Sequence, residues 1–282
     1  MWRASRSLLL GALVWLGGAL AVPAAEPPAR VVSMNVCTDQ LAMLVARPGQ
    51  LHSVSWLAAD PAMSVLANEA EGLRLNRGLA EEIFLMKPDL VIAGTFSTRA
   101  TVTLLQRLGF RVEQFAPVAS LADIRANIVR MGDLLGNPSR AGALVARFDA
   151  DLAALRASPP SDQMLALYFA NSYTSGGGTL ADAVVEASGL KNLGREMGYE
   201  GTVKLPLEML VNAEPELVAG GGRDFGRPAR AQEAFRHPAY RAVAGAGRGI
   251  VMDSTYWLCG TPLTLEAARR LAAHADLAAA DE

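Results

Sequence analysis

The chain has 282 residues, with 26 Lys and Arg against 28 Asp and Glu and a formal net charge of −2, a balance that excludes the electrostatic footprint of a nucleic-acid or anionic-lipid binder. Without the leader expected over residues 1–21, about 260 residues remain, which is generous for one core and comfortable for two small ones. Only Cys37 and Cys259 are cysteines, so a single intrachain disulfide is the most the chain can form.

The first residues read as an export signal. Arg3 and Arg6 supply the positive end, residues 8–20 the apolar stretch, and residues 19–21 (ALA) a small-residue cleavage site. The stretch is too short for a comfortable membrane span, and Pro23, Pro27 and Pro28 follow at once. No Cys stands at the cleavage site, which argues against a lipoprotein. A signal peptide over residues 1–21 is therefore expected, leaving a soluble, exported chain with no direct membrane insertion. Without Arg3 and Arg6, 24 basic residues face 28 acidic ones, a charge near −4.

Residues 30–34 (RVVSM) form a short β run, and Thr38 is placed as the cap of a helix over DQLAMLVA that ends before Arg47, Pro48 and Gly49. Residues 51–55 make a second strand, and Asp60 with Pro61 opens a short helix. Residues 79–86 are helical and stop at Lys87, because the residue before a proline resists the α region. Residues 90–93 (LVIA) form a buried strand, Ser97 or Thr98 caps a helix that Gly109 ends, and residues 112–115 are the next strand. Strands alternating with helices imply a parallel α/β sheet, assigned to a first lobe over residues 22–136.

Residues 121–135 form an amphipathic helix, with Leu121, Ile124, Ile128, Met131 and Leu135 in register. Residues 137–156 (NPSRAGALVARFDADLAALR) follow, with Asn137 as N-cap and Pro138 in the first turn. Leu144, Phe148, Leu152 and Leu155 recur at helical spacing. At 1.5 Å per residue this run spans on the order of 30 Å. Its place near the middle of the chain makes it a rigid strut, assigned to residues 137–157. The second lobe, residues 158–282, opens with the linker SPPSD. A strand over residues 164–169, a glycine-rich turn over residues 175–178 and a helix over residues 180–187 follow. Pro206 opens a helix to Val211, residues 216–219 and 248–252 are strands, and Pro262 starts the final helix. The expected fold class is α/β: two lobes, each with a central mostly parallel sheet flanked by helices, joined by one long inter-lobe helix.

An internal repeat links the lobes. EEIFLMKPDLV, from Glu81 to Val91, aligns with EMLVNAEPELV, from Glu208 to Val218. In each, an acid opens a helix, a proline breaks it after the same number of residues, and a strand follows.

Together the opening RVVSMNVCTDQLAML, the block LAEEIFLMKPDLVIAG of residues 79–94, the strut and the block of residues 205–218 resemble the periplasmic substrate-binding proteins of ABC importers for cobalamin and ferric siderophores. The resemblance covers essentially the whole mature chain. It implies two α/β lobes bridged by a long helix, a metal chelate bound in the cleft between them, and no resident cofactor. It implies as partners an ABC permease and, through it, the ATPase. It also implies one exposed Glu per lobe docking on permease arginines, at positions matching Glu81 and Glu208. Glu82 is an adjacent alternative, and an acid in a first helical turn also complements the macrodipole.

In open α/β sheets ligands sit beyond the carboxyl ends of the strands. That rule nominates Asn35, Val36, Cys37, Thr38, Trp56, Thr95 and Phe96 in the first lobe. In the second it nominates Asn171, Ser172 and Tyr173, then Arg223, Asp224 and Phe225, then Tyr256, Trp257 and Cys259. Aromatic residues are only 6% of the chain, so their concentration in these loops suits a planar or amphipathic chelate. Trp56, Phe96, Tyr173 and Trp257 are the leading aromatic candidates, and relatives that bind cobalamin carry an aromatic where Phe96 stands. Arg99, Arg223 and Arg227 are the cations a catecholate would need, and heme would need an axial His or Tyr. His52, His237 and His274 are scattered through the sequence, so heme ranks low.

Cys37 and Cys259 fall in cleft-facing loops, one per lobe. A disulfide stapling the lobes, a free Cys37 ligating a bound metal complex, and two buried thiols that never meet all remain open. The glycine-rich segments SGGGT (residues 175–179) and GGG (residues 220–222) lack the phosphate-loop and Rossmann patterns. Neither a Gly-x-Ser-x-Gly elbow nor a His-Glu-x-x-His motif occurs, so no motif supports an enzyme and no metal site is assigned. The reading is a periplasmic solute-binding component that captures cobalamin or a ferric siderophore for an ABC importer. A periplasmic sensor or interaction protein, or an enzyme on the same two-lobed scaffold, are the alternatives.

Overall fold

The computed structural model describes residues 26–220, 229–245, 247–252 and 255–280. The expected signal peptide and Arg223, Asp224, Phe225 and Arg227 lie outside the described residues. The first lobe runs β1 (Val31–Ser33), α1 (Val36–Val45), β2 (Leu51–Ser55), β3 (Arg74–Asn76), α2 (Ala80–Met86), β4 (Leu90–Gly94), α3 (Arg99–Arg107), β5 (Val112–Phe115) and α4 (Leu121–Leu134). Its strands form one parallel sheet in the order β3-β2-β1-β4-β5. Alternation along the buried strands divides the sheet's two faces. Val31, Leu90 and Ile92 pack with α1 and α4, whereas Val32, Val91 and Ala93 pack with α2 and α3.

Helix α5 (Pro138–Arg156) leads into β6 (Met164–Tyr168), β7 (Tyr173–Ser175), α6 (Leu180–Ala187), β8 (Lys191–Asn192), α7 (Leu193–Glu196), β9 (Thr202–Lys204), α8 (Leu207–Ala213) and β10 (Leu217–Gly220). The chain continues through α9 (Glu233–Arg236), α10 (Pro238–Val243), β11 (Gly249–Val251), α11 (Thr255–Leu258) and α12 (Thr264–Ala280). Among the described residues the second sheet is parallel in the order β11-β10-β6-β8, beside a small antiparallel pair β7-β9. Each lobe keeps an outer cluster of its own, around Ile83 and Leu105 in the first and Leu205 and Leu210 in the second, and the two share an inner one. One apolar cluster runs from Val31 and Ile92 through Ile128 on α4 and Phe148 on α5 to Leu165 and Leu271. The strut packs on α4 and α12, with Ala141, Val145 and Phe148 buried and Leu144, Leu152 and Leu155 at the margin.

The repeat extends further in space than in sequence. Helices α2 and α8 both end in a non-glycine residue in the left-handed region, Lys87 (φ 50°) and Glu214 (φ 44°). A buried proline follows each, and this turn reverses the chain into the central strands β4 and β10. The acid after each proline then caps the neighbouring strand. Asp89 accepts from the Ala29 and Arg30 amides, and Glu216 from the Met164 amide at 2.7 Å. Both strands end in glycine.

Several expectations need correction. Helix α1 starts two residues before Thr38, because Asn35 is extended (φ −147°, ψ 131°) and its side chain caps the Cys37 amide. Asp60 and Pro61 open turns, and the nearby short helix is a 3₁₀ turn over Trp56–Ala59. Asn137 is the N-cap residue of α5 as expected, but its side chain makes no capping bond and its amide donates to the Val45 carbonyl. The final helix begins at Thr264, after a turn in which Thr264 bonds the Thr261 amide and the Cys259 carbonyl. Strands β3, β7, β8 and β9 are two or three residues long and without strong alternation, too little for a periodicity signal. Among the described residues no helix is long and apolar enough to cross a membrane.

Candidate functional site

In the first sheet the winding direction reverses between β1 and β4, and a crevice opens outside their carboxyl ends. A cavity of about 190 Å³ occupies it. Its floor is the start of α1, with Asn35, Cys37, Thr38 and Leu41, and its walls include Thr95, Phe96, Phe115 and Val118. Asn127 of α4 adds an amide, and residues 258–260 cross from the second lobe.

The floor is held by a buried polar cluster. Thr38 Oγ1 bonds Ser33 Oγ at 2.8 Å and the Asn35 carbonyl at 2.9 Å. Asn76 Nδ2 donates to the Ser33 carbonyl and to Ser53 Oγ. Asp39, at the end of the first turn of α1, accepts from the amide and hydroxyl of Ser55. Burial pushes its carboxyl up to about 6, against the lowering effect of hydrogen bonds from Ser33, Ser55 and the Asn35 backbone. Three strands are thereby tied to the loop that positions Asn35.

The nominated residues separate into groups. Asn35, Cys37, Thr38, Thr95 and Phe96 converge on the cavity, and Phe96 is 86% exposed. Cys37 and Cys259 are joined as a disulfide with Cα atoms 4.9 Å apart. Trp257 is buried against the edge of Phe169 and lines a second cavity of about 350 Å³ with Ser175, Thr179 and Thr202. Trp56 lies outside both cavities with the Arg77 guanidinium 5.7 Å above its ring. Tyr256 accepts from Arg270, which also stacks on its ring, so this side chain fastens α12. Asn171 and Ser172 form a left-handed 3₁₀ turn that delivers Tyr173 to β7, and none of the three lines either cavity. Val36 is buried in the lobe.

Sequence reasoning missed Phe115, Val118, Leu41, Leu258 and Asn127. The strand-end rule applied to β5 would have found residues 116–118. Asn127 had no signal, because it lies on an otherwise ordinary amphipathic helix. Among the described residues no group of His, Cys, Asp or Glu is placed to hold a metal ion. The three histidines are engaged elsewhere: His52 with Arg30, His237 as the cap of α10 and His274 with the Gly247 carbonyl. Outside the cavity, Glu81 and Glu208 are exposed on the first turns of α2 and α8. Glu82 accepts from the Arg77 amide at 2.8 Å.

Residues 32–252 match the family model described as periplasmic binding protein. Curated relatives from two strains of Halobacterium salinarum, each a cobalamin-binding protein, are 26% identical over 199 residues, 69% of this chain. The matched region spans about half (54%) of the length of those relatives. Among solved structures, the apo heme-binding protein RhuT of Roseiflexus sp. RS-1 superposes with a TM-score of 0.72 at 21% identity, covering 89% of this chain and 98% of its own. The vitamin B12 binding protein BtuF of Vibrio cholerae superposes at 0.66 and 19% identity, with the same coverage.

Proposed function

The chain belongs to the periplasmic binding protein family, and on that premise we propose that it is the solute-binding component of an ABC importer, capturing a metal chelate in its inter-lobe cleft. The observation that carries this reading is the character of the cavity at the strand-end crevice. Its described lining side chains are uncharged, and none is His or Tyr. Neutral amides and hydroxyls from Asn35, Thr38, Thr95 and Asn127 stand beside apolar Leu41, Phe115 and Val118. Such a surface suits a neutral chelate fringed with amides, such as cobalamin or a ferric hydroxamate, better than a polyanionic catecholate or a heme in need of an axial ligand. Phe96 offers an exposed aromatic face at the mouth.

Delivery would follow from the repeat. Glu81 and Glu208 occupy equivalent exposed positions, and Glu82 is already engaged by its own backbone neighbour. The two free carboxylates are the docking charges for basic residues of a permease, coupled through it to the ATPase. The leader expected at residues 1–21 would place the protein in the periplasm.

Calorimetric titration of the purified protein with cobalamin, a ferric hydroxamate and a ferric catecholate tests the assignment. One-to-one binding of one of the first two at micromolar concentration or below is expected. Folded protein that gives no heat with all three overturns the chelate class.

A further inference from the structure

The two cavities share a wall. Val118 and Leu258 line both, and Cys259 and Gly260, which follow Leu258, line the first. This segment is fixed on two sides. In the second lobe the Cys259 carbonyl accepts from Thr264 Oγ1. Toward the first lobe Cys259 is bonded to Cys37, and Gly260 lies so near Val118 that a Cβ there would come within 2.6 Å of Cγ1. The chambers measure about 190 and 350 Å³, while ordinary small-molecule sites occupy roughly 300 to 1,000 Å³. Taken alone the first chamber falls below that range, so a large chelate held there must reach past residues 258–260 or extend out of the cleft.

We propose that the Cys37–Cys259 disulfide sets the size selectivity of the cleft: it holds residues 258–260 as a partition, and its reduction releases the partition and joins the chambers. The inference concerns regulation of the chelate site and rests on that reading of the cleft. Apart from the disulfide, the packing of Gly260 and Leu258 carries the partition's hold on the first lobe, and Leu258 is itself half exposed.

The redox step is thiol–disulfide exchange with a dithiol. Cys37 is half-buried and Cys259 is buried, so the reductant's thiolate attacks Cys37 Sγ, breaking the S–S bond and forming a mixed disulfide. Cys259 leaves as a thiolate and takes up a proton. The second thiol of the reductant then displaces Cys37 and closes a cyclic disulfide, so both protein sulfurs end as thiols and the reductant is oxidised by two electrons.

The test is amide hydrogen exchange by mass spectrometry on the full protein, oxidised, treated with dithiothreitol, and as the double variant Cys37→Ala/Cys259→Ala, with cobalamin titrated into each. Exchange over residues 255–261 and 115–118 is expected to rise at least tenfold in the reduced and variant forms, and cobalamin affinity to rise by at least tenfold. Measurable cobalamin binding that is unchanged or weaker with faster exchange overturns the size selectivity. Reduced wild-type protein, with its free thiols counted by alkylation, answers the question even if the variant does not fold. Unchanged exchange in protein shown to carry two free thiols overturns the partition, whatever binds. Faster exchange with no cobalamin heat in any form upholds the partition and removes cobalamin as the cargo.

Discussion

The two lobes are built from one plan and used differently. Each centres on a short helix, a left-handed residue before proline, an acid that caps the next strand, and a strand ending in glycine. Yet among the described residues the strand-end cavity is lined almost wholly by the first lobe, and the second contributes only residues 258–260. The glycines display the divergence. A Cβ on Gly94 would meet the Asn35 side-chain amide at 3.0 Å, whereas on Gly220 it would meet the Tyr168 carbonyl at 1.9 Å. One glycine leaves room for a cavity-lining side chain, and the other lets two strands close. The repeat therefore specifies scaffold and outer faces, while the site depends on what each lobe hangs on its strand ends.

The outer faces provide the largest expected effect. Charge reversal at both sites, Glu81→Lys with Glu208→Lys, should abolish uptake of the chelate in cells while calorimetric affinity stays unchanged. Loss of binding in the purified double variant would refute the separation of docking from capture. The glycine contrast comes next. Gly220→Ala should cost more than about 4 kcal/mol in urea unfolding because backbone must move, and Gly94→Ala about 1 kcal/mol because a side chain can yield.

Aromatic residues should divide in the same way. Trp257→Ala is expected to cost about 4 kcal/mol as a core truncation. Phe96→Ala should stay within about 0.5 kcal/mol in stability but weaken chelate binding at least tenfold. Equal effects of the two on both readouts would erase the distinction between core and cleft aromatics. The last expected effect is one of pH and concerns Asp39. In the fold burial pushes its pKa to about 6, above the ordinary 3.8 of an aspartate, so its protonated form favours the fold. That contribution is complete below pH 4 and is lost as pH rises through 6, on the order of 3 kcal/mol in all. Asp39→Asn cannot titrate, so the Tm difference between wild type and variant should shift toward the variant from pH 4 to 7. A constant difference would contradict the burial argument.

Much of this was legible in residue order. The alternation of apolar runs and helices announced two α/β lobes, the strut was readable from Pro138 and its apolar spacing, and the repeat was visible as a proline at a fixed distance from an acid. These features are set by local backbone preference and side-chain period, which act within a few residues. The strand-end rule located Asn35, Cys37, Thr38, Thr95 and Phe96, because sheet winding ties loops to a crevice. The same rule nominated Trp56, Tyr173 and Tyr256, which line neither cavity, since a loop position does not say whether an aromatic turns to the cleft, to solvent or to its own lobe. Asn127 and residues 258–260 reach the cavity by packing between elements far apart in the chain. Cys37 and Cys259 stand 222 residues apart, and no local property of either brings them together. Residue order by itself determined the elements and their plan; the pairing of those thiols and the division of the cleft were decided by tertiary packing, because they depend on distances between lobes that no local preference encodes.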